Sequence, residues 1–195
     1  MGSSAMMDIM ASTIIFGSLM FTIGRVQINM NSTMYYNTYN YMTQNYALEL
    51  AKTVEFDFHK MGFNVSGTKV DTAEANKIRF KYYILNDATM RTVTYELGPE
   101  DAASENPDDH TLYRTENGVT VEHNIGVTEF SMTYLDSTFN TLTAPVTGAA
   151  RDSIHAIQVY FRVQSHAPII LPDITTYISV FWEKLIYPRN MGNLQ

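Results

Sequence analysis

Residues 6 to 28 read MMDIMASTIIFGSLMFTIGRVQI, and this run sets the architecture of the whole chain. No charged residue lies between Asp8 and Arg25, and the residues between them are mainly Ile, Met, Phe, Leu and Ala with small hydroxyl side chains. A helix of this length spans roughly 30 Å, which is the thickness of the hydrocarbon core of a bilayer. The run therefore predicts a transmembrane helix.

Three kinds of segment share this composition: a cleaved secretory signal, a simple single-span anchor, and a helix that leaves the bilayer to pack against copies of itself. A secretory signal begins with basic residues, and no Lys or Arg precedes the apolar core here. An acidic side chain at the centre of a bilayer costs about 2.5–3.5 kcal/mol, and somewhat less near an interface. Because a neutralising partner removes part of that cost, Asp8 favours the self-packing helix.

The helical pattern continues beyond the apolar run. Residues 26–61 contain no Pro, and Gly62 supplies a left-handed stop. Apolar side chains recur at helical spacing and form one stripe, consisting of Ala47, Leu50, Ala51, Val54, Phe58 and Met61. The charged residues are assigned to other faces; they are Glu49, Lys52, Glu55, Asp57 and Lys60. We therefore expect one helix from about Ala5 to Met61, with a lower half exposed to lipid or sister helices and an upper half packed on a domain.

Between the two halves lies a polar and aromatic stretch, residues 29 to 46, with the sequence NMNSTMYYNTYNYMTQNY. Its five tyrosines are Tyr35, Tyr36, Tyr39, Tyr41 and Tyr46. One interpretation is an aromatic belt that contacts neighbouring subunits or the membrane interface. The other is a partly exposed helix face covered by amphipathic side chains, and the sequence does not decide between the two.

After Gly67 the apolar period changes from 3.6 residues to two, which indicates β-strands. Residues 78–84 alternate as a half-buried strand, and a turn at Asn86 and Asp87 leads to a partner strand at 89–97. Further strands are predicted at 111–114, 119–123, 127–135, 157–163 and 175–182, the last continuing towards residue 187. Short connections favour a single antiparallel sheet on the upper helix. The fold class is therefore α+β, with a membrane half at 1–28, an amphipathic half at 29–62 and a β domain at 63–195.

The composition excludes several classes of protein. The chain has 195 residues, enough for one domain and a long helix, and 45% hydrophobic residues are too few for a multi-span protein. A formal net charge of −7 argues against nucleic acid as a partner. Since Cys is absent, thiolate chemistry is excluded.

No pattern indicates catalysis. The five histidines are scattered without metal-ligand spacing, and no phosphate-binding loop, dinucleotide fingerprint or nucleophile motif is present. The acidic loop at 98–110 contains Glu100, Asp101, Glu105, Asp108 and Asp109. Its oxygen ligands suit Ca²⁺, but the spacing fits no EF-hand, and solvated charge is the favoured interpretation. We therefore predict neither an enzyme nor a cofactor.

The N-terminal pattern resembles that of the type IV pilin-like superfamily, which includes pilins and the pseudopilins of type II secretion. On this resemblance Ser4 is the first residue of the mature chain, so that processing would cut between Ser3 and Ser4. Met6 and Met7 form the apolar pair, and Asp8 is the acid at the fifth mature position, where the family usually has Glu. Gly17 is the family's glycine nine residues after the acid.

A second likeness lies in residues 111 to 136, TLYRTENGVTVEHNIGVTEFSMTYLD. This run is similar to the central segment of the J-type minor pseudopilins and the W-type minor pilins. In those proteins a Leu-Tyr-Arg strand and an Asn/Asp-Gly turn lead to a strand with spaced Val, Phe and Tyr. The matching positions are Leu112, Tyr113, Arg114, Gly118, Val127, Phe130 and Tyr134.

The resemblance implies a structural subunit of a pilus-like or pseudopilus filament, with Asp8 and Gly17 acting in assembly and the tyrosines from Tyr35 to Tyr41 as subunit contacts. The chain would sit in the inner membrane before assembly, with residues after Arg25 outside the cytoplasm, and then in a periplasmic or extracellular filament with related subunits as partners. Secretion, adhesion, motility and DNA uptake all stay open. The alternative is a singly displayed, membrane-anchored extracytoplasmic binding domain, in which Asp8 has no role.

Overall fold

A long N-terminal helix packs against an antiparallel sheet, so the predicted α+β fold is confirmed. The computed structural model describes residues 2–84, 89–170 and 175–191. Helix α1 spans Gly2–Lys60, and a short 3₁₀ helix spans Gly148–Ser153. The strands are β1 (Val70–Ala73), β2 (Lys77–Tyr83), β3 (Met90–Glu100), β4 (His110–Glu116), β5 (Val119–Leu135), β6 (Thr141–Leu142), β7 (Ala156–Gln164), β8 (Ile169–Ile170), β9 (Thr175–Thr176) and β10 (Ser179–Ile186). The turn predicted at Asn86 and Asp87 lies outside the described residues.

The helix ends where the sequence predicted, at a left-handed glycine. Gly62 has a φ of +73°, a region that glycine enters without steric cost. Its N–H donates to the carbonyl of Lys81 over 2.8 Å, and the N–H of Tyr83 donates to the carbonyl of Phe63 over 2.9 Å. These bonds fasten the helix end directly to β2.

The principal sheet has the order β1-β2-β3-β4-β5-β7-β10, with β6 paired to β5 and all pairs antiparallel. The predicted last strand at 175–182 is divided differently: β9 pairs with β8 in a separate two-stranded sheet, and β10 joins the principal sheet. The edge of the main sheet at β10 therefore begins only at Ser179.

The predicted strands at 119–123 and 127–135 are wrong as separate elements, because they form the single 17-residue strand β5. A bulge after Val127 follows Gly126, which has a φ of +80°. A Cβ at Gly126 would lie only 2.0 Å from the carbonyl oxygen of Gln164. A glycine bulge can bend a strand without ending it, so β5 pairs with β4 through its first part and with β7 through its second.

The bend closes the sheet around the end of the helix. The N–H of Met132 in β5 donates to the carbonyl of Ala75 between β1 and β2 over 2.7 Å, and the hydroxyl of Tyr134 donates to the carbonyl of Glu74 over 2.7 Å. Val146 similarly donates to Ala73 over 2.8 Å. The sheet therefore encloses a concave apolar surface rather than presenting a flat one.

The predicted apolar stripe of the helix fills this surface. All its members are buried; they are Ala47, Leu50, Ala51, Val54, Phe58 and Met61. The Phe58 ring lies 5.6 Å from that of Phe80 and 5.9 Å from that of Tyr95, measured between centroids. The alternation in β2 is also confirmed, since Ile78, Phe80 and Tyr82 are buried.

The two phenylalanines Phe56 and Phe58 provide a matched test of this packing. Phe58→Ala should lower the free energy of unfolding by about 3–5 kcal/mol, because a fully buried ring is lost. Phe56 is 64% exposed and lies under the Lys60 ammonium, so Phe56→Ala should cost about 1 kcal/mol or less. Urea unfolding in nonionic micelles, followed by Trp182 fluorescence, measures both. Equal effects would show that the helix is docked on a different face.

Candidate assembly interface

The first half of α1 exposes an apolar surface with no partner in the isolated chain. Large side chains from Met6 to Ile28 are mostly more than half exposed, including Ile9 at 65% and Phe21 at 63%. In the part of the chain that the structure describes, this is one helix long and apolar enough to cross a membrane. Such a surface is unstable in water and requires lipid or protein around it.

The four hydroxyl groups between Asp8 and Arg25 form hydrogen bonds within the helix itself. Ser12 and Thr13 both donate to the carbonyl of Ile9, over 2.9 and 2.7 Å, while Ser18 donates to Ile14 over 2.9 Å. Thr22 repeats the arrangement with Ser18 over 2.9 Å. Since none of these four hydroxyls needs water as a hydrogen-bond partner, this part of the helix can enter an apolar environment without leaving them unpaired.

Asp8 differs from these hydroxyls. Its side chain is exposed, and it forms no ion pair within residues 2–84, 89–170 and 175–191. Gly17 lies nine residues further on, at about 13 Å along the axis and about 180° around it. A Cβ added at Gly17 meets nothing within 4 Å, so the isolated chain gives that glycine no structural role. The two predicted assembly residues therefore present opposite faces of the helix.

The predicted processing position is helical. Ser3 and Ser4 both lie in the first turn of α1, which begins at Gly2, and the Ser4 side chain is exposed. No contact of the chain tests the proposed cut.

The sheet covers the helix only from Thr43 onward, so part of the predicted packed half is exposed. We call residues 29–42 the neck. Tyr35, Tyr36 and Tyr41 are exposed, and Tyr39 is half-buried. At about 100° per residue Tyr41 points away from Tyr35 and Tyr39, so the tyrosines are distributed around the helix over a length of about 9 Å. Both interpretations of the tyrosines stay open.

A buried ion pair fixes the upper helix to the sheet, and it corrects one sequence prediction. Asp57 was assigned to an outer face, but its side chain is 1% exposed. Its Oδ2 accepts from the Nε of Arg114 and from the hydroxyl of Tyr95, each over 2.7 Å. Asp57 lies seven residues after Leu50, a spacing that places the two side chains within about 20° of each other around the helix axis. Because Leu50 is buried against the sheet, Asp57 faces the sheet too.

The pair continues into a second carboxylate. Arg114 Nη2 donates to Glu116 over 2.8 Å, and Tyr82 donates its hydroxyl to the same side chain. The Tyr82 hydrogen bond, with that of Arg114, lowers the pKa of Glu116, while burial and the Glu116 contact raise the pKa of Tyr82 to about 12. The hydrogen bond to Asp57 likewise raises the pKa of Arg114. Arg114 and Glu116 therefore carry opposite charges near neutral pH, while Tyr82 stays neutral.

The acidic loop at 98–110 folds back on the domain. Asp101 accepts from the N–H of Ala103 over 3.0 Å, and the amide of Asn106 donates to Gln164 over 3.0 Å. Asp109 is buried, with Oδ2 2.9 Å from Nδ1 of His166. Among the described residues no group of three or more His, Cys, Asp or Glu side chains could hold a metal ion. The contacts of Asp101 and Asn106 hold the loop, whereas both carboxylate oxygens of Asp109 are buried without a hydrogen-bond donor among the described residues.

Comparisons with protein families, with curated proteins and with solved structures give no match. The sequence pattern and the geometry of the chain therefore carry the functional proposal. The assembly roles of Asp8 and Gly17 stay predictions. The sequence located the exposed apolar surface, but it placed the start of the packed half before Thr43 and missed the inward direction of Asp57.

The ion pair can be tested with a double-mutant cycle. Arg114→Met should lower the free energy of unfolding by about 3–5 kcal/mol, because Asp57 loses its nearer cation. The half-buried Lys60 ammonium, 3.5 Å from Asp57 Oδ1, compensates for only part of that loss. Adding Asp57→Asn should recover part of that loss, since the amide is neutral and still accepts from Tyr95. Chemical unfolding in micelles measures each variant.

The control for this cycle is Arg162→Met. Arg162 lies 3.0 Å from Glu129, with the two side chains 38% and 48% exposed, and such surface pairs contribute about 1 kcal/mol or less. If Arg114→Met has an effect as small as that of Arg162→Met, the ion pair does not fix the helix.

Proposed function

We propose that this chain is a subunit of a type IV pilin-like filament, of the pilus or type II secretion pseudopilus kind. The observation that carries the proposal is one unbroken helix, exposed along most of residues 4–42 and buried against the sheet from Thr43. The exposed part is anchored in the membrane before assembly. It then packs against the same part of other copies, or of related pilin-like subunits.

The length of the exposed helix supports a filament over a simple anchor. Residues 4–42 span roughly 60 Å, whereas a hydrocarbon core is about 30 Å thick. The neck is rich in Asn and Thr, which are poor helix formers, and single helices have little stability in water. Neighbouring helices would cover Met30, Met34 and Tyr41, all of which are exposed in the isolated chain.

The acid supports the same proposal. Asp8 forms no ion pair within the residues that the structure describes, and a lipid-facing carboxylate is costly. The α-amino group of a neighbouring subunit would supply a positive charge about 4 Å from the carboxylate. At an effective dielectric constant near 20, the attraction between the two charges is about 4 kcal/mol. Since Asp8 and Gly17 face opposite directions, the helix would use neighbours on at least two sides.

In this proposal the domain lies outside the cytoplasm, in the periplasm or beyond it, and the chain acts by assembly rather than by catalysis. The alternative, a singly displayed binding domain, requires only an apolar anchor. It leaves both Asp8 and the exposed neck without a role.

The test is incorporation of an Asp8→Ala subunit into filaments. The variant should reach the membrane at normal levels but be reduced in sheared filaments by about tenfold or more, because the charge pair is lost. Immunoblots of membrane and sheared fractions, from cells assembling a tagged copy, give both quantities.

Thr13→Ala is the matched control, since the Thr13 hydroxyl bonds only to its own helix. It should assemble normally. Filaments of normal abundance from Asp8→Ala would contradict the proposed role of the acid.

A further inference from the structure

A polar cleft of about 600 Å³ lies at the end of the domain farthest from the exposed half of the helix. It is lined by residues 65–69, which follow the end of α1, and by residues 151–155, which lead into β7. Ser137 and Met191 complete the described lining. Its volume falls within the range of roughly 300–1,000 Å³ found for small-molecule sites.

The cleft is lined by a half-buried cation, Arg151. Arg151 donates through Nη1 to the carbonyl of Asp71, but its buried Nε has no hydrogen-bond partner among the residues described. Lys69 and His155 also line the cleft, with Asp152 as its one described acid. A buried unpaired guanidinium N–H favours an acceptor, and an anionic acceptor most strongly.

A cluster of three aromatic rings adjoins the cleft through His155. His155 belongs both to the cleft lining and to a cluster with Phe139 and Tyr187. The ring centroids are 6.5 Å apart for Phe139 and His155, 6.2 Å for Phe139 and Tyr187, and 6.4 Å for His155 and Tyr187. Phe139 and Tyr187 are 53% and 46% exposed, so their rings do not serve the core.

The loop between β5 and β6 holds Phe139 in a strained backbone conformation. Phe139 has a φ of +63°, a region that bulky residues rarely adopt. The Asp136 carboxylate fixes it by accepting from the N–H groups of Thr138 and Asn140, over 2.8 and 2.9 Å, and from the Thr138 hydroxyl over 2.8 Å. Strain that keeps an aromatic ring at the surface is typical of a binding site.

We propose that this cleft binds an acidic saccharide. A sugar carboxylate would accept from the Arg151 guanidinium, which would turn its covered Nε towards the ligand, while the C–H face of the sugar ring would pack against Phe139 and Tyr187. The hydroxyls of Ser66 and Ser137, which make no hydrogen bond within the described residues, are available to sugar hydroxyls. A bare inorganic anion would leave the rings without a contact, and a neutral apolar ligand would leave Arg151 Nε without an acceptor. The site does not depend on filament assembly.

The experiment is calorimetric titration of the full chain in polyoxyethylene micelles, which contain no sugar. The probes are oligomers of galacturonate, glucuronate, mannuronate and guluronate, and sialyllactose, each beside its neutral methyl ester. Tripolyphosphate serves as a bare polyanion. At least one acidic probe should bind, and its methyl ester should bind about tenfold more weakly or worse.

Two variants test the two parts of the site. Arg151→Gln should weaken binding about tenfold or more. Phe139→Asn should weaken it about fivefold while leaving the fold intact, since Asn tolerates the left-handed conformation. Arg162→Gln removes the same charge elsewhere and should bind like the wild type.

Three results would overturn the inference: no acidic probe binds, the methyl esters bind equally well, or tripolyphosphate competes fully while Phe139→Asn has no effect. If circular dichroism shows that the Arg151→Gln variant does not fold, the titrations with the methyl esters and with the Phe139→Asn variant still test the inference. Filament assembly by the Phe139→Asn variant separates this inference from the proposed function, because assembly should be unaffected.

Discussion

The contact between the apolar stripe of the upper helix and the concave sheet is the constraint on which the rest of the structure depends. Val54 and Phe58 are fully buried there, and each buried side chain of this size contributes roughly 1.5–3 kcal/mol. The Asp57–Arg114 pair lies beside them and fixes the rotation of the helix, because a carboxylate at this depth can be accommodated only next to its cation.

Because the upper half of α1 is fixed on the sheet, the direction in which the lower half leaves the domain is fixed as well. Because α1 is unbroken from Gly2 to Lys60, its apolar surface projects from the domain and cannot fold back onto it. The exposed surface therefore needs an external partner: lipid first and, in our proposal, other subunits afterwards. At the opposite end, Gly62 and β2 fasten the helix beneath the cleft that contains Arg151. The exposed apolar surface and the proposed saccharide site therefore lie at opposite ends of the molecule.

Much of the fold could be predicted because its signals are local. The period of 3.6 residues located the stripe, Gly62 marked the helix end, and alternation located β2 and β7. The failures involve contacts between residues distant in sequence. The charge of Asp57 favours an exposed position, whereas its spacing from Leu50 places it on the buried face. The cation that makes this burial possible lies 57 residues away, so no local pattern reveals it. The bend in β5 depends on how closely Gly126 approaches Gln164, which no local pattern contains.

The candidate sites divide in the same way. Asp8 stands out in an apolar run and Gly17 follows from the family resemblance, so both could be named from the sequence, and their role in assembly stays a prediction. Arg151 and Phe139 could not be named, because only the fold brings them to the same end of the domain. The most direct test of the central claim is electron cryomicroscopy of the native assembled protein. We expect filaments in which residues 4–42 of many copies form a helical core with the sheet domains outside. Filaments joined through their sheet domains, or dispersed monomers alone, would contradict it.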